Sequence, residues 1–163
     1  MAFEKPDYKA VKLLAREVLR DNMIVEPPVI AANLAKTYGL QVVRVAFNEN
    51  YSHVAGFINA DSMEIAVNAD DSLARQNFTI AHELGHYLRE HHKESGYSFL
   101  LRDPRNSAKN AMEMEANCFA ANVLVPYSFL QERMDEFPYA TDWQLGNLFG
   151  VSSDVIRYRK LYL

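Results

Sequence analysis

Residues 63–86 read MEIAVNADDSLARQNFTIAHELGH, and the pattern changes period within that span. Met63 to Asn68 has the apolar, β-branched make-up of a strand. Asp71 or Ser72 can cap a helix that runs to about Glu90 or His92. Upstream, Leu40 to Phe47 (LQVVRVAF) and Val54 to Asn59 (VAGFIN) read as two more strands. Ala60-Asp61-Ser62 supplies turn residues, so the last two strands form a hairpin. Residues 6–20 carry apolar side chains at helical spacing (Ala10, Leu13, Leu14, Val18), and Pro6 suits a first helical position. Pro28 to Tyr38 reads as a second helix, stopped by Gly39.

Downstream, Glu94 to Pro104 contains Gly96 and Pro104 and reads as a loop. Ser107 can cap a helix to Leu124, and Pro126 ends it. Residues 127–134 and 141–149 read as short helices, and Ser152 or Ser153 caps a final one. The expected class is α+β, a small three-stranded sheet flanked by helices. Residues 1–163 are expected to form a single domain, with 28–126 as its core and 127–163 as a C-terminal helical part.

Composition narrows the setting. Hydrophobic residues make up 49% of the chain, enough for a core without covalent staples. The one cysteine, Cys118, has no partner for an internal disulfide, which suits a reducing compartment. Met1 to Asp21 holds no signal-like apolar run, and nothing approaches the roughly 20 apolar residues of a membrane span. The expectation is a cytoplasmic protein. A net charge of −4 argues against a nucleic-acid footprint.

The chemistry concentrates at His82-Glu83-Leu84-Gly85-His86. Residues i and i+4 of a helix differ by only about 40°, so His82 and His86 stand one above the other. Two imidazoles so placed can share one tetrahedral zinc ion. Glu83, beside the stripe, can serve as the base. Phe78, Ile80, Ala81 and Leu84 are apolar, so this helix is expected to be partly buried rather than a solvated face carrying two ordinary histidines. Gly85 weakens a helix interior by roughly 1 kcal/mol, which a close neighbour would explain.

A catalytic zinc site commonly takes three protein ligands. The helix ending at Leu124 offers Glu113, and Ala116, Asn117, Ala120 and Leu124 lie within about 60° of it. That small face would let two helices approach and share a metal. Asn117 could hydrogen-bond the second ring nitrogen of a ligand histidine. Glu113 is the expected third ligand, and Glu115, about 160° away, is the alternative. His91 and His92 are expected to be cations at the helix C-terminus, off the metal face. Glu90 falls on the stripe without an assigned role. His53 is expected at the surface, and Cys118 as a packed side chain.

Residues 75–86 and the block from Glu113 through Asn117-Cys118-Phe119-Ala120-Ala121 to Pro126 together resemble the ImmA/IrrE metallopeptidase family. The likeness extends over about residues 28–160. It implies a zincin-like, thermolysin-like centre in which His82, His86 and Glu113 hold one Zn2+ and Glu83 is the catalytic base. It also implies a zinc endopeptidase that cuts a helix-turn-helix repressor or an antitoxin-like regulator. Val125, Asn122 and Glu90 depart from that family's usual residues, which are Met, Glu and His in turn.

Three further expectations accompany this reading. The strand Met63–Asn68, if at an edge, could bind substrate backbone by strand addition. A zinc-containing regulator that binds its partner without cleaving it is the alternative function. Residues 142–159 superficially resemble a helix-turn-helix, with Arg157, Arg159 and Lys160 on the second helix, but the acidic chain favours a packing or docking role over direct nucleic-acid binding.

Overall fold

The computed structural model describes residues 5–94, 99–102 and 111–162. The chain runs α1 (Tyr8–Asp21), α2 (Ala31–Thr37), β1 (Gln41–Val45), a 3-10 turn (Glu49–Tyr51), β2 (Gly56–Asn59), β3 (Glu64–Asn68) and α3 (Leu73–Leu88). It continues through α4 (His91–Glu94), β4 (Phe99–Arg102), α5 (Ala111–Leu124), α6 (Tyr127–Glu136), α7 (Asp142–Phe149) and α8 (Ser153–Leu161). The architecture is α+β, with helices flanking a small mixed sheet.

The three expected strands are all present, and β4 joins them inside the stretch that reads as a loop. Its backbone pairs antiparallel with β2, from Gly56↔Arg102 to Asn59↔Phe99. A strand this short is specified by the open edge it meets rather than by its own periodicity. The order is β1-β3-β2-β4. β1 runs parallel to β3, and β2–β3 is the expected hairpin. β3 therefore lies between two partners and is not an edge. Both of its backbone ladders are occupied, which removes it as a place for strand addition. Its central position also explains why Ile65, Ala66 and Val67 are all fully buried instead of alternating.

The helices differ from expectation mainly at their ends. Asp7 caps α1 by accepting from the Ala10 N–H, so Pro6 precedes the cap. The buried stripe of α1 is Val11, Ala15, Val18 and Leu19, while Leu13 faces solvent. Contact with α5 selects that stripe. Gly39 takes the left-handed conformation, φ +81°, and turns the chain from α2 into β1. The Ser107 cap expected for α5 lies outside the described residues.

Polar side chains hold α3 to the sheet. Ser72 caps it through the Arg75 N–H. Asn68, at the end of β3, donates to Val54 O and accepts from the Asp70 N–H. Gln76 donates to Asp71 O and accepts from Arg44 Nε. Asn77 accepts from the Ala31 N–H and donates to Val29 O and Gly150 O, joining α2 and the α7–α8 turn to α3.

The pair α7–α8 is tied inward. Leu145, Phe149 and Ile156 are buried, and buried Arg159 donates to Val125 O. Lys160 bonds Asp142 at 2.6 Å, and Arg157 bonds Asp154 at 2.8 Å. The three cations of this segment thus engage groups of the same chain. Among the described residues, no helix is long and apolar enough to cross a membrane.

α3 packs closely on α5. A Cβ added at Gly85 would sit 2.9 Å from Phe119 Cδ1 and 3.1 Å from Phe119 Cβ. Phe119 is fully buried, so it has little room to retreat. Gly85→Ala is expected to lower stability by about 1–2 kcal/mol net, overpacking outweighing the gain in helix propensity. Thermal unfolding of the purified variant checks this; an unchanged or raised midpoint would show that Phe119 yields freely.

Candidate metal centre

His82 and His86 lie one turn apart on α3, and Glu113 lies in the first turn of α5. His82 and His86 are buried, while the Glu113 side chain is 20% exposed. Their donor atoms form a small triangle. His82 Nε2 and His86 Nε2 are 3.0 Å apart. Glu113 Oε2 is 3.2 Å from His82 Nε2, and Oε1 is 3.0 Å from His86 Nε2. Among the described residues these three make up a group that could hold a metal ion. Glu115, the alternative third ligand, is not in it.

The donor set fits a divalent ion. Tetrahedral zinc with bonds near 2.0–2.1 Å needs donor spacings of about 3.3 Å, a few tenths more than the triangle has. Burial opposes charge on Glu113, but hydrogen bonds and attraction to His82 and His86 hold its carboxyl well below the ordinary carboxylate range. Those bonds need a proton on each ring nitrogen. With both rings deprotonated, three acceptor atoms face one another, and a divalent cation satisfies all three. Glu83, next to His82 on the same helix, is 1% exposed.

The outer partners of the histidines are in part as expected. Asn117 Oδ1 lies 2.9 Å from His82 Nδ1, which makes that nitrogen the donor and leaves Nε2 to face the triangle. The other partner was expected elsewhere. α3 ends at Leu88, and Glu90 takes a left-handed φ of +58°, which redirects the chain into α4. His91 therefore leaves the helical register in which it would have been a terminal cation. It is buried, with Nδ1 2.9 Å from His86 Nδ1 and Nε2 3.0 Å from Glu115 Oε2. Burial pushes the His91 ring below its usual pKa despite the Glu115 bond.

Glu115 does point away from Glu113, and on that side it has work. It accepts from Arg89 Nε at 2.9 Å and from the Asp7 N–H at 2.7 Å. Burial raises its pKa, but Arg89, the Asp7 amide and His91 together hold the carboxyl below its ordinary value. Sequence reasoning missed this group because the stop after Leu88 carries no glycine or proline. The usable signal was the histidine pair His91-His92, beginning five residues after His86.

The remaining candidates have other surroundings. Glu90 is exposed and pairs with Lys93. His92 stacks on Tyr87, ring centres 5.6 Å apart. His53 lies in the turn before β2 and is not in the cluster. Cys118 is buried, accepts from Asn122 Nδ2, and has its thiol pKa raised by burial. Beside the centre, Asn117 also lines a cavity of about 440 Å³ bounded by Phe78, Met114, Ala121, Val155 and Tyr158.

Glu113→Ala removes the anionic corner of the triangle. Metal retained per chain after dialysis, measured by atomic absorption, is expected to fall sharply; unchanged content would exclude Glu113 as a ligand. Adding metal to the stripped wild-type chain at about 100-fold over its Kd should stabilise it by about 2.7 kcal/mol, read from thermal unfolding.

Comparison with known proteins agrees with this geometry. The peptidase M78 family model, described as the IrrE N-terminal-like domain, matches residues 35–160. The metallopeptidase ImmA of Bacillus subtilis (strain 168) is 29% identical over 93 residues, covering 57% of this chain and 53% of that protein. A Mycobacterium tuberculosis transcriptional regulator has the same fold, with a TM-score of 0.68 at 18% identity over 93% of this chain and 46% of that one. This chain spans about half the length of each of these two proteins. The family match covers well over half of the chain and contains both histidines and Glu113, so the chain belongs to the IrrE N-terminal-like peptidase family.

Proposed function

We propose that this chain is a zinc-dependent endopeptidase of the cytoplasm. His82, His86 and Glu113 are its ligands for one zinc ion, and Glu83 is its base. The observation that carries the reading is the triangle of donor atoms, 3.0–3.2 Å on a side, with buried Glu83 adjoining it on α3. A bound zinc ion supplies Lewis acidity, polarising a carbonyl and making water acidic near neutral pH. The Glu83 carboxylate takes a proton from the attacking water and delivers it to the departing amide nitrogen. Its burial keeps bulk water from competing for that proton. The cavity beside Asn117 offers an apolar place for a side chain of the bound polypeptide.

The substrate in this reading is a DNA-binding repressor or antitoxin-like regulator. The two sequence blocks shared with the ImmA/IrrE proteins support that class. Arg159 is buried against Val125 O, and Lys160 and Arg157 pair with Asp142 and Asp154, which favours a role for α7–α8 in packing or protein docking rather than DNA contact. Glu83→Gln should retain metal yet lose at least about 10²-fold in the cleavage rate of a repressor encoded beside this gene. Gel analysis with and without chelator reads the outcome. Full cleavage by the variant rules out Glu83 as base. A stable complex of wild-type chain and repressor, without fragments, would favour the regulator that binds without cutting.

A further inference from the structure

We propose that His91 and Glu115 are positioning residues of the metal centre, fixing His86 in the tautomer whose Nε2 lone pair faces the ion. The proposal rests on the metal-centre reading above and does not depend on peptide cleavage.

Proton counting carries it. With the ion bound and both rings neutral, each imidazole has one N–H and one lone pair. His86 Nδ1 and His91 Nδ1 are 2.9 Å apart, so one proton lies between them. Its owner is set at the far side of His91. A carboxylate only accepts, and Glu115 Oε2 is 3.0 Å from His91 Nε2, so His91 carries its proton there. The His91 Nδ1 is then the acceptor, and the shared proton belongs to His86 Nδ1. With the ion bound, that leaves the His86 Nε2 lone pair for the metal; without the ion the same nitrogen, 3.0 Å from Glu113 Oε1, needs a proton to bond the carboxylate.

The anchor of the chain is held from two directions. Arg89 Nε donates to Glu115 Oε2, and the Asp7 backbone amide donates to Oε1. His91 is 2% exposed, which leaves water little part in setting the bond. His82 gains the same orientation from one amide, Asn117. His86 gains it through an imidazole and a carboxylate in series, the arrangement by which outer partners orient a metal-bound histidine.

Two measurements on the zinc-loaded full chain test this. Nitrogen NMR of the labelled histidines should show His86 protonated at Nδ1 and His91 protonated at Nε2 but bare at Nδ1. Competition with a chromophoric chelator should show His91→Leu binding zinc about 10–100-fold more weakly than wild type. His91→Gln, whose amide can accept from His86 and donate to Glu115, should recover to within a few-fold. His91 protonated at Nδ1, or His91→Leu holding zinc as tightly as wild type, would overturn the proposal. Should His91→Leu not fold, as judged by circular dichroism, the wild-type ring spectra and the affinity of His91→Gln decide it. Wild-type tautomers and affinities with no proteolysis would count against the peptidase reading alone.

Discussion

The approach of α3 to α5 at Gly85 and Phe119 is the constraint on which the site depends. Two of the three donor atoms stand on one helix and the third on the other, so the helix spacing sets the donor spacing. Interiors are packed as tightly as organic crystals, and a single added methyl group displaces them by tenths of an ångström. That is the same size as the adjustment a tetrahedral ion asks of the triangle. Ala116 and Ala120, both fully buried, keep the face of α5 shallow, and Phe119 fills the space that Gly85 leaves.

Once α3 is set against α5, the polar groups along it need partners, and they find them on many elements. Gln76 and Asn77 join its first half to Arg44 of β1, to α2 and to the α7–α8 turn. Asn117 and His91 receive the histidines of its second half. A buried polar group left without a partner costs about 1–3 kcal/mol, so these contacts also make the orientation of α3 a single one. The centre is thus embedded in a framework that resists rotation of the helix about its axis.

Most of this was legible where the deciding forces are local. Strand and helix periods placed β1, β2, β3, α3 and α5. The i, i+4 spacing brought His82 and His86 together, and face counting along α5 put Glu113 and Asn117 on the side facing them. What escaped was decided by partners distant in sequence. β4 exists because β2 has an open edge. β3 is central because β1 pairs with it from a distance. The buried stripe of α1 is turned from the one the sequence suggested because α5 selects it. His91 reaches His86 only because a non-glycine residue, Glu90, turns left-handed, a conformation that nothing in its own chemistry announces.

The bond from the Asp7 amide to Glu115 spans 108 positions of the chain. The histidines and their partners come from α3, α4 and α5, and the outermost link comes from the cap of α1. No short fragment contains this arrangement, so a peptide carrying only the motif would bind metal as an unconstrained pair of histidines. The proposed site and its outer partners are complete only when both ends of that long loop have closed. If Glu115 positions the metal ligands as proposed, undocking of the N-terminal helix would be felt at the centre as a weaker hold on the ion.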